Sequence, residues 1–119
     1  MEMEKVDWRT FHVIAKKGTS YQGVINARYE DLVAAFGEPE ECYDGKVQVE
    51  WRLLFYSAET DGYIPATIYD WKMGTTYWRS EGLRGVSAER VTTWHIGGTS
   101  LDAVDCVHEA FKSSRKGAA

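Results

Sequence analysis

Between positions 47 and 55 the chain places Val47, Val49, Trp51, Leu53 and Phe55 at every second residue, with Gln48, Glu50 and Arg52 between them. A strand turns successive side chains to opposite faces, so this spacing dictates a β-strand with one apolar face and one that begins polar. Such a strand belongs to a sheet covered on one side, the usual condition of antiparallel sheets. The rest of the chain must supply that sheet's other strands and a cover for its apolar face.

Tyr63 to Trp71, rich in β-branched and aromatic residues, reads as the return strand. The loop before it, Ser57 to Gly62, ends in the turn signal Asp-Gly. Pro65 calls for an edge or a bulge. Val91 to Ile96 supplies another short strand. Trp8 to Ala15 alternates loosely through Phe11, Val13 and Ile14 and reads as the first strand. After a turn at 16–20, Tyr21 to Ile25 reads as a short second one.

The cover comes from two helices. Tyr29, Leu32, Val33 and Phe36 recur at helical spacing behind an Asn26 N-cap; Gly37 stops that helix and Pro39 prevents its continuation. Thr99 or Ser100 caps the last helix, with Asp102 in its first turn and Leu101, Val104, Val107, His108 and Phe111 as its apolar stripe. Ser113 to Ala119 is basic, rich in small residues and expected to fray. The expectation is therefore a single α+β domain over residues 1–119 with a flexible basic tail from about 113. Its one antiparallel sheet has four to five strands, with two helices packed on one face.

Composition narrows the function classes. A net charge of −4 argues against nucleic acid as the partner, because phosphate binding rests on Lys and Arg displacing counterions. No apolar run is long enough to span a bilayer, and the polar start Met1 to Lys5 lacks a signal-peptide core, so the expected location is the cytoplasm, without membrane attachment. Cys42 and Cys106 lack the spacing of a metal or redox pair and read as thiols of a reducing compartment. His12, His95 and His108 are scattered, which argues against a metal site, and nothing calls for a cofactor. Five Trp and seven Tyr exceed what a chain of 119 residues needs for packing, which points to a binding surface.

Three places could carry chemistry. In Trp94-His95-Ile96-Gly97-Gly98-Thr99-Ser100 a strand leads through two glycines into a capped helix, whose first N–H groups can hold a phosphate. The plainer reading is an ordinary strand-to-helix turn; the dinucleotide and Walker patterns are missing. The long connector Met73 to Arg90 carries Tyr77, Trp78, Arg79 and Arg84 close after Asp70, Trp71 and Lys72, and aromatics beside cations stack on bases or grip a protein. In the plainer reading Trp71 and Trp78 pin the connector to the sheet. Asp70 and His95 would make an acid–base pair if their strands were neighbours; more often such residues stay solvated.

The helix ending Ala35-Phe36-Gly37-Glu38-Pro39, the strand Lys46 to Trp51, the strand Ala66-Thr67-Ile68-Tyr69-Asp70-Trp71-Lys72 and Trp94-His95-Ile96-Gly97-Gly98 together resemble small uncharacterised accessory proteins of bacteriophages. The similarity covers residues 21 to 111 and carries no activity with it. It implies a role in the host cytoplasm and a protein that acts by binding. The first expectation is thus a non-catalytic binding protein that inhibits a host defence or other host factor. The second is a sequesterer of a nucleotide or cyclic nucleotide, its phosphate at Gly97-Gly98 and its base on Trp78 or Tyr77. The third is a small hydrolase using Asp70 and His95. The partner is accordingly a host protein or a small phosphorylated ligand, and an open sheet edge offers a route to a homo-oligomer.

Overall fold

The computed structural model describes residues 2–16, 18–42, 46–72 and 85–117. The alternating run forms β4, Val49–Ser57, and a turn with Asp61 at φ 50° leads into β5, Gly62–Tyr69. β6, Thr93–Gly98, lies beside β5, and β2, Ser20–Asn26, lies beside β6. β1, Glu2–Lys5, and the two-residue β3, Glu40–Glu41, both pair with β4. Among the described residues the sheet has six strands in the order β1-β4-β5-β6-β2, with β3 joined to β4, and every pairing is antiparallel.

Register assigns the faces. Trp51 lies opposite Ile68, Ile68 opposite Ile96, and Trp94 opposite Ile25. These residues, with Leu53, Phe55 and Ala66, make a buried inner face. Two helices cover it: α2, Tyr29–Phe36, through Leu32 and Phe36, and α3, Asp102–Gly117, through Ala103, Cys106 and Val107. Inside, the rings of Trp51 and Trp94 meet edge to face at 5.4 Å. Each indole N–H also finds a carbonyl, Trp51 that of Gly37 at 2.7 Å and Trp94 that of Ala27 at 3.1 Å. The α+β class, the single antiparallel sheet and the two helices on one face are as the sequence implies.

Several local expectations need correction. Trp8 to Ala15 is not a strand: Asp7 accepts a hydrogen bond from the Thr10 N–H at 2.8 Å and caps a helix, α1, Trp8–Ile14. Phe11 and Ala15, four residues apart, then fall on one side and pack with Leu54 and Val6 on the outer face of the sheet. β1 has no apolar alternation, and its four residues are all exposed. Asn26 is the last residue of β2 and accepts from the Thr93 hydroxyl, while the cap position of α2 is Arg28, with no side-chain bond to the helix. Gly97 and Gly98 do not break β6 but complete it, paired to both neighbours.

On α3 the buried stripe runs through Ala103, Cys106 and Val107, so Leu101 is exposed, as is His108, whose Nε2 lies 2.9 Å from the Val24 carbonyl. The helix continues to Gly117, past the Ser113 at which the sequence reading ends it. Gly37 does stop α2: at φ 85° it donates to the Val33 carbonyl at 2.8 Å. Pro65, within β5 and paired to Leu54, lies one residue beyond the last pair of the β5–β6 ladder, so its other side is a local edge that proline tolerates.

Candidate functional site

α1 covers only the end of the outer face near Leu54. Along the remainder, alternation brings up the side chains that the inner face rejects. Tyr69 of β5 lies opposite His95 of β6, and on β2 the Tyr21 ring reaches the same imidazole. Ring centroids are 4.8 Å apart for Tyr21 and His95 and 5.6 Å for Tyr69 and His95. Two residues along from Tyr69, Trp71 extends the row at 6.3 Å. Lys46 and Lys72 sit over the Trp71 ring, their ammonium groups 5.7 and 5.5 Å from its centre. The row is accessible, Tyr21 being 57% and Trp71 38% exposed.

Beside it lies a recess of about 460 Å³, lined among others by Glu50, Arg52, Thr67, Tyr69 and Trp71. Arg52, largely covered, bridges to Glu40 across the β3–β4 pair and to Glu50 at 2.8 Å. Burial raises the pKa of the Tyr69 hydroxyl, with the charge of Glu50 and then Tyr21 adding. Burial lowers that of His95, which favours the neutral imidazole. A neutral ring among aromatics can stack and offer one donor and one acceptor.

Gly97 leaves room for Thr67 and Tyr69 on this face. A Cβ there would stand 2.5 Å from the Thr67 Oγ1 and 3.3 Å from a Tyr69 ring carbon. The Thr67 hydroxyl, buried over that gap, has no hydrogen-bond partner among the described residues. Gly98 points the other way, where a Cβ would stand 2.5 Å from Ala103 and 3.0 Å from the Pro65 carbonyl. The two glycines thus serve close packing on opposite faces. α3 begins only at Asp102; the Ser100 hydroxyl accepts from its N–H at 3.3 Å, and Asp102 and Asp105 already bring negative charge to the first turn. That start has its electrostatic complement without a phosphate.

The remaining expected site residues divide. His95 and Lys72 belong to the outer row or its flank, and Thr99 and Ser100 are exposed beyond the end of β6. Trp94 is fully buried on the inner face, so it reaches no ligand from solvent. Asp70 is equally buried: its carboxylate accepts from the backbone N–H groups of Gln48 at 2.8 Å and Val49 at 3.1 Å, and from the Gln48 amide at 2.7 Å. Asp70 continues the inner register of Ile64, Ala66 and Ile68, whereas His95 faces outward, so the two form no acid–base pair. Tyr77, Trp78, Arg79 and Arg84 lie outside the described residues. Among the described residues no three His, Cys, Asp or Glu side chains are arranged to hold a metal, and no helix is long and apolar enough to cross a membrane.

The sequence reading missed Tyr21, Tyr69, Arg52 and Lys46. A signal for part of it was present: Thr67 and Tyr69 share one parity on β5, continued by Trp71 just past its end, opposite to the apolar set of that strand. No family model matches the chain, and no curated protein or solved structure matches it either.

Proposed function

We propose that this chain is a non-catalytic binding protein that occludes a protein of the host cell, gripping it with the outer face of the sheet. One observation carries the reading: the aromatic row Tyr21–His95–Tyr69–Trp71 stays open on a face that α1 only partly covers. Rigid aromatics on a sheet supply contact area at low entropic cost, and Tyr, Trp and Arg dominate the energetics of protein interfaces. The resemblance to small phage proteins agrees with an inhibitor of a defence or other host factor.

The test is affinity capture of host proteins on the intact chain, beside a Tyr21→Ala/Tyr69→Ala variant whose fold is verified by circular dichroism. A specific partner retained by the original and lost by the variant supports the reading. A partner held equally by both rejects this face.

A second reading, a small planar phosphorylated ligand such as a nucleotide, is favoured by the recess beside Tyr69 and by the cations at Trp71. Bases stack on such rows, and ammonium groups at the end of the row supply a counter-charge for phosphate. A thermal-shift panel of nucleotides and cyclic nucleotides separates the two: a specific ligand raises the Tm by mass action, and a flat panel leaves the protein partner.

A further inference from the structure

At the far edge of the sheet from Tyr21, a second surface has a different chemistry. On the outer face Glu2 of β1 lies opposite Tyr56 of β4, and Tyr56 lies opposite Tyr63 of β5; Glu4 lies opposite Leu54. Tyr56 and Tyr63 meet edge to face at 5.6 Å, and Tyr63 is 50% exposed. With Met3 and Leu54 these residues line a recess of about 600 Å³. A second one of about 430 Å³ adjoins it, lined by Glu2, Tyr56, Ser57, Ala58 and Glu59. The Tyr56 hydroxyl donates to Asp61, which brings another carboxylate to the border. Among the described residues no cation lines either recess, and the one lysine of β1, Lys5, turns to the inner side, donating to the Glu38 carbonyl at 2.7 Å. Among the described residues no strand pairs with the far side of β1.

We propose that this edge docks a basic extended segment of another protein, which pairs with β1 and lays an arginine or lysine side chain into the tyrosine-lined recess. An unpaired edge offers backbone donors and acceptors, and alternate side chains of an added strand meet the pocket. Carboxylates and tyrosine faces are the two groups that attract a guanidinium or ammonium. The same charges select against the commonest wrong partner: in a pair of copies joined along this edge, Glu2 and Glu4 would repel their twins. A basic strand removes that repulsion, so charge complementarity chooses the occupant.

The probe is an octapeptide of alternating arginine and threonine, added to the intact isotopically labelled chain and followed by NMR at low salt, with an alternating glutamate–threonine peptide as control. Perturbed amides are expected within 2–5, 54–59 and 62–63. The triple variant Glu2→Gln/Glu4→Gln/Glu59→Gln should bind about tenfold more weakly, three exposed charge pairs being lost. Tyr63→Ala should also weaken binding, while Tyr69→Ala should leave it unchanged, which keeps this edge distinct from the aromatic row. Equal affinity in the folded triple variant overturns the proposal. So do perturbations spread evenly over the other acidic positions, such as Glu30, Asp102 and Glu109, or dimerisation of the chain along β1.

Discussion

The two faces of the sheet use the same residue types to opposite ends. Inside, Trp51 and Trp94 are fully buried, their rings packed together and their N–H groups bonded to backbone carbonyls. Outside, Tyr21, His95, Tyr69 and Trp71 form an equally continuous row that stays half in solvent. The inner aromatics are covered by helices; the outer ones, among the described residues, lean on one another, on the strands beneath and on flanking lysines. An aromatic count therefore says little about function until alternation has assigned each ring to a face. The surplus of Trp and Tyr is partly core and partly surface.

The sharpest way to break this comparison is to truncate one ring on each face. Trp94→Ala should cost about 3–5 kcal/mol of stability, the loss typical of a buried aromatic. Tyr21→Ala should cost less than about 1 kcal/mol, as most exposed changes do. Urea unfolding of both variants measures the contrast, and similar losses would erase the distinction.

The glycines sharpen it next. Gly98→Ala pushes a methyl against Ala103 and the Pro65 carbonyl, which should cost about 1–3 kcal/mol through overpacking against α3. Gly97→Ala should displace Thr67 and Tyr69 instead, so its effect should fall more on the outer row than on the core. Chemical shifts of Tyr69 and of the α3 residues read the two displacements separately.

Asp70→Asn should cost about 1–3 kcal/mol, because the amide's NH2 would face N–H donors that the carboxylate now accepts. A variant as stable as the original would show that Asp70 is not the structural clasp of β4 and β5.

The smallest effect is on pH. Burial lowers the pKa of His95, so the unfolded chain binds its proton more readily than the folded one. The contribution is fully present above pH 6.5, the ordinary histidine value, and is lost as pH falls through the lower folded value. His95→Asn should remove that part of the acid sensitivity, seen as a smaller drop in Tm between pH 7.5 and pH 5. An unchanged drop would place the sensitivity in other groups.

The architecture was legible where a single period ruled. The run from Val47 to Phe55 formed a strand, shifted to Val49–Ser57, and the helical spacing of Tyr29 to Phe36 formed the helix it implied. Trp8 to Ala15 misled because Phe11, Val13 and Ile14 look like a strand unless Asp7 is recognised as a cap. β1 was invisible because the exposed edge strand Glu2-Met3-Glu4-Lys5 carries no apolar pattern. The site was harder still. His95 was legible as a polar residue on a strand, but its neighbours Tyr21 and Tyr69 come from strands adjacent only through the register. Gly97 and Gly98 drew attention as a phosphate loop, yet what they answer to is Thr67 on one face and Ala103 on the other, contacts made 30 and 5 positions away.

The claim that the outer face grips a partner is tested most directly by hydroxyl-radical footprinting of the chain, alone and in its purified host complex. The account predicts protection of Tyr21, Tyr69, His95 and Trp71 on binding, with Trp51 and Trp94 unlabelled in both states. If those four side chains are labelled equally with and without the partner while protection falls elsewhere, the account is contradicted.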